Sequence, residues 1–485
     1  MNILESLEPA VVWKYFEKIC QIPRPSKKEE KILAYLVSFA EEHRLEYKQD
    51  EIGNILILKP ATKGCEDLES VVLQSHVDMV CEKHSHVKHN FDKDPIVPKI
   101  DGEWVKATDT TLGADDGIGM AAQLALLASN DIKHGDLECL FTVDEETGLT
   151  GAFSLKKGFF KSKILLNLDS EDDGELFIGC AGGVDTVATF EIQMEETPLN
   201  CFAFKMDVSG LKGGHSGDDI HKGLGNANKI LNRFLWNASR EYGLRLNKFS
   251  GGNLRNAIAR EASALALVPT SQKEPIRVAF NIFYDELCSE LEVTEPDLRM
   301  HLESCDIPDS VFEKGFQESL LNSVYACPHG VIEMSRKIEG MVETSTNLAA
   351  IKQEDDKMII TTSQRSSVES AKEDIAAMVR SVFELAGAEV KHGEGYPGWA
   401  PNTDSEILNI TRESYERLFG EAPVVRAIHA GLECGLFLEK YPKLDMISFG
   451  PTIRGAHSPD ERINIETVNK FWLHLLDVLV NIPEK

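Results

Sequence analysis

Residues 70–78 read SVVLQSHVD, residues 137–146 read LECLFTVDEE, and residues 164–169 read ILLNLD. In all three, a short run rich in leucine and β-branched residues ends abruptly in groups that bind protons or metal ions. Runs of this length bounded by polar loops predict strands, and their near-continuous apolar character predicts burial on both faces. NILILKP at 54–60 is a fourth. Stretches with helical periodicity lie around them, at 8–22, 27–43 and 115–130. Alternating strand and helix predicts an α/β fold, a mixed sheet with helices on both faces.

After GCAGG at 179–183 the texture changes. Strand-like runs at 184–193, 200–211, 263–271 and 275–283 surround a helix at 223–243; residues 346–367 read as a hairpin and 370–387 as a closing helix. From about Tyr396 the α/β character returns, with a helix at 406–420, a strand at 443–450 and a helix at 463–479. The expected organisation is one α/β domain, residues 1–183 and 396–485, interrupted by an inserted α+β domain at 184–395.

The chain has 485 residues, 42% hydrophobic and 27% charged, with 51 Lys plus Arg against 79 Asp plus Glu and a net charge of −28. Such a field repels phosphate backbones and anionic membranes, which argues against nucleic-acid and membrane partners. No apolar run approaches the roughly 18 residues of a membrane helix. The amphipathic N-terminus, with acids early, does not read as a secretory signal, and a cytoplasmic location is expected. The ten cysteines form no CxxC pair, so reduced thiols are expected and a thiolate zinc site is not.

Chemistry gathers at the strand ends. His76 and Asp78, two apart on a strand, share a face, and a metal-bound His commonly gives its second ring nitrogen to a carboxylate. Asp115 and Asp116 stand between glycines ahead of a buried helix, where an acid also serves as a plain N-cap. Asp144, Glu145 and Glu146 crowd together and repel unless something compensates. Asp169 ends the third strand, and His457 sits in a loop beyond the strand at 443–450. Singly, each has an ordinary reading as strand end, cap or surface acid. Together they form a nitrogen and oxygen ligand set at the edge where open α/β sheets bind ligands. That set suits Zn²⁺, Mn²⁺ or Co²⁺, and a shared Asp115 would allow two ions.

HVDM (76–79), LGADDGIG (112–119), DEETG (144–148), NLDSED (167–172) and GAHSPDER (455–462) occur in order and at similar spacing in a known family. In these motifs the chain resembles the co-catalytic dinuclear zinc peptidases that include the aminoacylases and carboxypeptidase G. GGHSGDDIHKGLGNA (213–227), GGNLRNAIARE (251–261), VETSTNLA (342–349), YPGWAPN (396–402) and HAGLECGLF (429–437) bring it close to a dipeptidase branch. The resemblance implies a zinc-peptidase catalytic domain with an inserted lid, and two Zn²⁺ per chain, with Co²⁺ or Mn²⁺ as substitutes. It implies that Asp115 bridges the ions, Glu146 and His457 hold one, and His76 and Asp169 hold the other. Asp78 would orient His76, and Glu145 would be the general base. Asp116 stands where relatives often carry Asn. In the lid, His215 would polarise the scissile carbonyl and Arg365 would grip a substrate carboxylate. Asn256 and the stretch from Gly431 to Glu433 would line the substrate pocket. His429 and Glu433 also have the spacing of an i,i+4 helix pair. Dipeptides, with Xaa-His and β-alanyl-histidine among them, are the implied substrates, and a homodimer the implied assembly. N-acyl amino acid hydrolysis, tripeptide hydrolysis and a non-catalytic zinc-dependent binding role stay open. A dinuclear phosphoesterase also remains, although neither a basic patch nor a P-loop is visible.

Overall fold

Every residue of the strands Val71–His76, Leu137–Thr142 and Ile164–Asn167 is buried. These strands lie side by side in parallel, the arrangement that continuous apolar runs favour. The computed structural model describes residues 3–485. It contains two compact units: Met1–Gly179 with Pro401–Ala427 and Leu432–Lys485, and Cys180–Ala400 with Ile428–Gly431.

The first unit is built on a mixed eight-stranded sheet. Its order is Glu46–Gln49, Ile55–Lys59, Leu137–Thr142, Val71–His76, Ile164–Asn167, Asp445–Ser448, Glu175–Cys180 and Val424–Ile428. Strand Asp445–Ser448 pairs in parallel with Ile164–Asn167, which places late sequence in the middle of the sheet. Helix Ala114–Ala128 packs on strand Val71–His76 and on helix Ala10–Cys20, while helix Glu406–Phe419 packs on Asp445–Ser448 and on helix Ile465–Val480.

The second unit contains the same motif twice. Strands Cys201–Ser209, Arg245–Gly251, Ala262–Pro269 and Arg299–Ser304 alternate with helices Ala227–Glu241 and Lys273–Glu290 in β-α-β-β-α-β order. Strands Gly182–Glu191, Val342–Glu354, Lys357–Ser366 and Glu389–His392, with helices Lys314–Ala326 and Glu369–Leu385, repeat that order, and the first module is inserted within the second. In each module the strands lie in the spatial order fourth, first, third, second. The two second strands pair antiparallel at Gly251 and Ile351, so one sheet runs through both. Helices from both modules share a single apolar core on that sheet.

The expected strand at 275–283 is wrong: these residues lie in helix Lys273–Glu290. Ile276, Phe280, Phe283 and Leu287 are buried while Val278 and Ile282 are exposed, a stripe with helical period inside a run too apolar to show it. Pro275 is tolerated because it falls in the first turn. The hairpin at 346–367 forms as expected, with Glu354 opposite Lys357 across a two-residue Asp355-Asp356 turn.

One buried cation fixes the helix that begins at the candidate ligands. Lys59 Nζ donates to the carbonyls of Leu126 and Leu127, each at 2.9 Å, and to that of Ser129, closing the C-terminal end of helix Ala114–Ala128. Lys59→Met keeps the apolar stem but strands these carbonyls. It should cost about 1–3 kcal/mol, read as a lowered thermal midpoint of the metal-free protein, whereas an unchanged midpoint would show that water replaces the ammonium.

Candidate metal centre

Five side chains of the first unit converge where the parallel strands end. His76 Nε2 lies 2.9 Å from Asp115 Oδ1 and 3.4 Å from Asp169 Oδ1. His457 Nε2 lies 3.1 Å from Asp115 Oδ2 and 2.9 Å from Glu146 Oε2. Asp115 thus touches both imidazoles, one with each oxygen. The donor atoms of His76, Asp115 and Asp169 all lie within 4.8 Å of one another, and so do those of Asp115, Glu146 and His457. A divalent cation fits this set: the donors are nitrogen and oxygen, and the buried Glu146 Oε1 has no hydrogen-bond partner. His76 also groups with Glu145 and Glu146. A further acidic group, Glu29, Asp78 and Asp144, is different, because its oxygens already accept protein hydrogen bonds.

Electrostatics ties these groups together. Burial opposes charge on His76, yet Asp169, Asp115 and Asp78 raise its pKa well above the usual imidazole value. Hydrogen bonds with Asp115 and Glu146, against burial, push His457 up to about 11. For Asp115, burial is outweighed by His457 and His76, and its carboxyl is held below the ordinary range. Burial raises Asp169 to about 7, and raises Glu171 to about 8 with help from Asp115 and Asp169. Glu145 is pushed well above the carboxylate range by burial, offset by His76 and reinforced by Asp169, Glu146 and Glu433. Without a cation, protons on the two imidazoles supply the positive charge; a metal ion would displace them.

The supports are as informative as the donors. Asp78 is fully buried, and its Oδ1 lies 3.4 Å from His76 Nδ1. The same carboxylate accepts the N–H groups of Glu145 at 3.0 Å and Glu146 at 3.2 Å, so one side chain aligns the His and the acid pair. Asp116 follows its ordinary reading as a cap, accepting from Gly119 N at 3.0 Å. Two supports escaped the sequence reading. The buried Arg24 guanidinium donates to the carbonyls of Val77, Asp78 and Gly113, stitching the His76 strand end to the Asp115 loop. Glu461 accepts from the N–H groups of Leu112 at 2.7 Å, Gly113 at 3.0 Å and Ala114 at 2.7 Å. Glu461 stood inside GAHSPDER and offered that signal; Arg24 offered none.

Glu433 does not line a pocket. It has no exposed surface, its Oε2 accepts from Gln74 Nε2 at 2.6 Å and Thr142 Oγ1 at 2.7 Å, and burial raises its pKa to about 8. Nor do His429 and Glu433 form a helical pair, because the helix begins at Glu433.

The remaining expected residues belong to the second unit. His215 Nδ1 lies 3.3 Å from Asp218 Oδ2, and His215 and Asn256 line an open cavity of about 870 Å³. Arg365 is 7% exposed; its Nε donates to Ser216 Oγ at 3.3 Å and its Nη1 to Tyr396 Oη at 3.0 Å. Among the described residues no carboxylate forms an ion pair with it. Gly431 serves the Tyr396 ring, which lies 2.7 Å from where a Cβ would stand. His429 Nε2 lies 2.7 Å from Ser345 Oγ.

Known proteins share the sequence and the fold of this chain. A profile of peptidase family M20/M25/M40 matches residues 72–479. The chain is 45% identical over 485 residues, all of both chains, to the cytosol non-specific dipeptidase of Escherichia coli. It is 48% identical to the aminoacylhistidine dipeptidase from Vibrio alginolyticus, whose crystal structure superposes with a TM-score of 0.92 over 99% of this chain and 98% of that one. A tripeptidase from Staphylococcus aureus, at 17% identity and a TM-score of 0.57 over 98% of each chain, shares the fold. The likeness therefore runs through the whole length of the chain, and the protein belongs to peptidase family M20/M25/M40.

Proposed function

We propose that this protein is a cytoplasmic, metal-dependent dipeptidase that hydrolyses the peptide bond of dipeptides, Xaa-His and β-alanyl-histidine among them, with two Zn²⁺ at the strand ends. The observation that carries the reading is Asp115, one oxygen on the His76 imidazole, which also meets Asp169, and the other on the His457 imidazole, which also meets Glu146. Full-length similarity to two dipeptidases supports the substrate class.

Divalent ions bound there supply Lewis acidity and a water of near-neutral pKa. The chain supplies the rest. Glu145, beside the donors and with its backbone N–H fixed by Asp78, accepts a proton at its carboxylate and returns it to the leaving amine. Asp78 keeps His76 in one orientation. Arg365 has the character of an anion receptor: a buried guanidinium anchored by two hydroxyls, in ion-pair contact with no carboxylate among the described residues, selects a ligand that brings one. His215 serves as the donor toward the substrate carbonyl, with Asp218 as its orienting partner.

A panel of dipeptides, tripeptides, N-acyl amino acids and phosphoesters, each with and without chelator, tests the proposal. Dipeptides should be cleaved fastest and only in the presence of metal; faster turnover of N-acyl amino acids would move the assignment to amidohydrolysis. Glu145→Ala should retain metal and lose roughly 10²–10⁴-fold in kcat, while Glu146→Ala should lose metal affinity. Metal analysis beside kinetics separates the two, and exchanged phenotypes would reverse the roles. Arg365→Ala should cripple hydrolysis of free dipeptides and add little to the already slow hydrolysis of C-terminally amidated ones. Removal of either partner of one charge-assisted pair gives non-additive losses, and fully additive losses in the cycle would place the carboxylate elsewhere.

A further inference from the structure

Glu461 is a buried carboxylate that the proposed chemistry does not use. It is 2% exposed, and no lysine or arginine pairs with it among the described residues. Its oxygens instead accept the backbone N–H groups of Leu112, Gly113 and Ala114, the residues immediately before Asp115, and at 3.5 Å that of Asp115 itself, across some 350 positions of sequence. On its own side, Glu461 closes the short turn that presents His457: Ser458 N donates to Gly455 O and Glu461 N to Ser458 O. His457 itself has φ 61°, a conformation a non-glycine residue keeps only when its surroundings enforce it. The turn carrying His457 and the loop carrying Asp115 are therefore joined by one side chain, through backbone groups. The opposite side of that loop is held by Arg24, which donates to Gly113 O.

We infer that Glu461 is a positioning residue for the metal centre: it latches the His457 turn onto the Asp115 loop and thereby sets the affinity of the ion held by Asp115, Glu146 and His457. The inference rests on the two-ion reading above. Backbone N–H groups aimed at one point demand an acceptor with two oxygens. An amide offers one oxygen and turns its NH₂ toward the remaining N–H groups, which repels the loop at the distance set by the other contacts. Three charge-assisted hydrogen bonds also cost the loop its freedom before any ion arrives, so the ion need not order it. The ion held by His76 and Asp169 has its own supports in Asp78 and Arg24 and depends less on this latch.

Calorimetric titration of metal-free protein with Co²⁺, followed in parallel by the cobalt visible spectrum, tests the inference on wild type, Glu461→Gln, Glu461→Asp and His457→Ala. Wild type should bind two ions. Glu461→Gln should bind one ion almost normally and the other about 10–100-fold more weakly, with the spectral change of His457→Ala. Glu461→Asp, which keeps both oxygens on a shorter stem, should fall between, and it decides the matter if the Gln variant does not fold. The thermal midpoint of the metal-free protein provides the contrast, since a purely structural role would lower that midpoint and leave both binding steps intact. If wild type binds a single ion, the two-ion reading fails. If wild type binds two and Glu461→Gln and Glu461→Asp bind both as tightly as wild type, the latch is overturned.

Discussion

Negative charge must be balanced at one sheet edge, and much of the first unit is arranged around that need. Asp115, Glu145, Glu146, Asp169 and Glu171 crowd the ends of strands whose own residues are all buried. Like charges this close in a poorly solvated place cannot all stay ionised unless cations stand among them. Burial first, and the neighbouring carboxylates with it, raise the pKa values of Asp169 and Glu145, while the same carboxylates raise those of His76 and His457 against burial. The supports follow the same logic. Arg24 and Glu461 act on backbone carbonyl and N–H groups near the donors, holding the segments in place while leaving the donor oxygens and nitrogens open.

The second unit raises a different constraint. A sheet edge left unpaired invites another chain. The expectation of a homodimer came from the way such inserted domains pair. Here the strands Arg245–Gly251 and Val342–Glu354 already pair within one chain, joining two copies of a single motif. The edges left at the ends of that path are Arg299–Ser304 and Glu389–His392, six and four residues long.

Much of this was legible in the sequence, and the exceptions have physical causes. The strands that lead to His76, Glu145, Glu146 and Asp169 announced themselves because burial on both faces requires unbroken apolar runs. The ligands stood out because polar groups at the ends of such runs have few structural uses. Residues 275–283 were misread because a helix packed on a sheet and also apolar on its outer side, at Val278 and Ile282, loses its periodic signature. Arg24 and Glu461 stayed hidden for another reason: they bind backbone groups, which every sequence possesses, so no partner residue marks them. Glu433 was misplaced because a motif tells which residues travel together and not which of them face solvent.

The position of strand Asp445–Ser448, between Ile164–Asn167 and Glu175–Cys180, has a consequence for biosynthesis. The ribosome finishes Ile164–Asn167 about 280 residues before its neighbour exists, a wait of roughly 15–60 s at about 5–20 residues per second. Throughout that interval the growing sheet has a gap at its centre, while the intervening unit can complete its own core. His457 and Glu461 emerge later still. A chain cut short before Asp445 therefore loses a middle strand and the latch together, and a nascent chain cannot assemble a hydrolytic centre until Glu461 has been made.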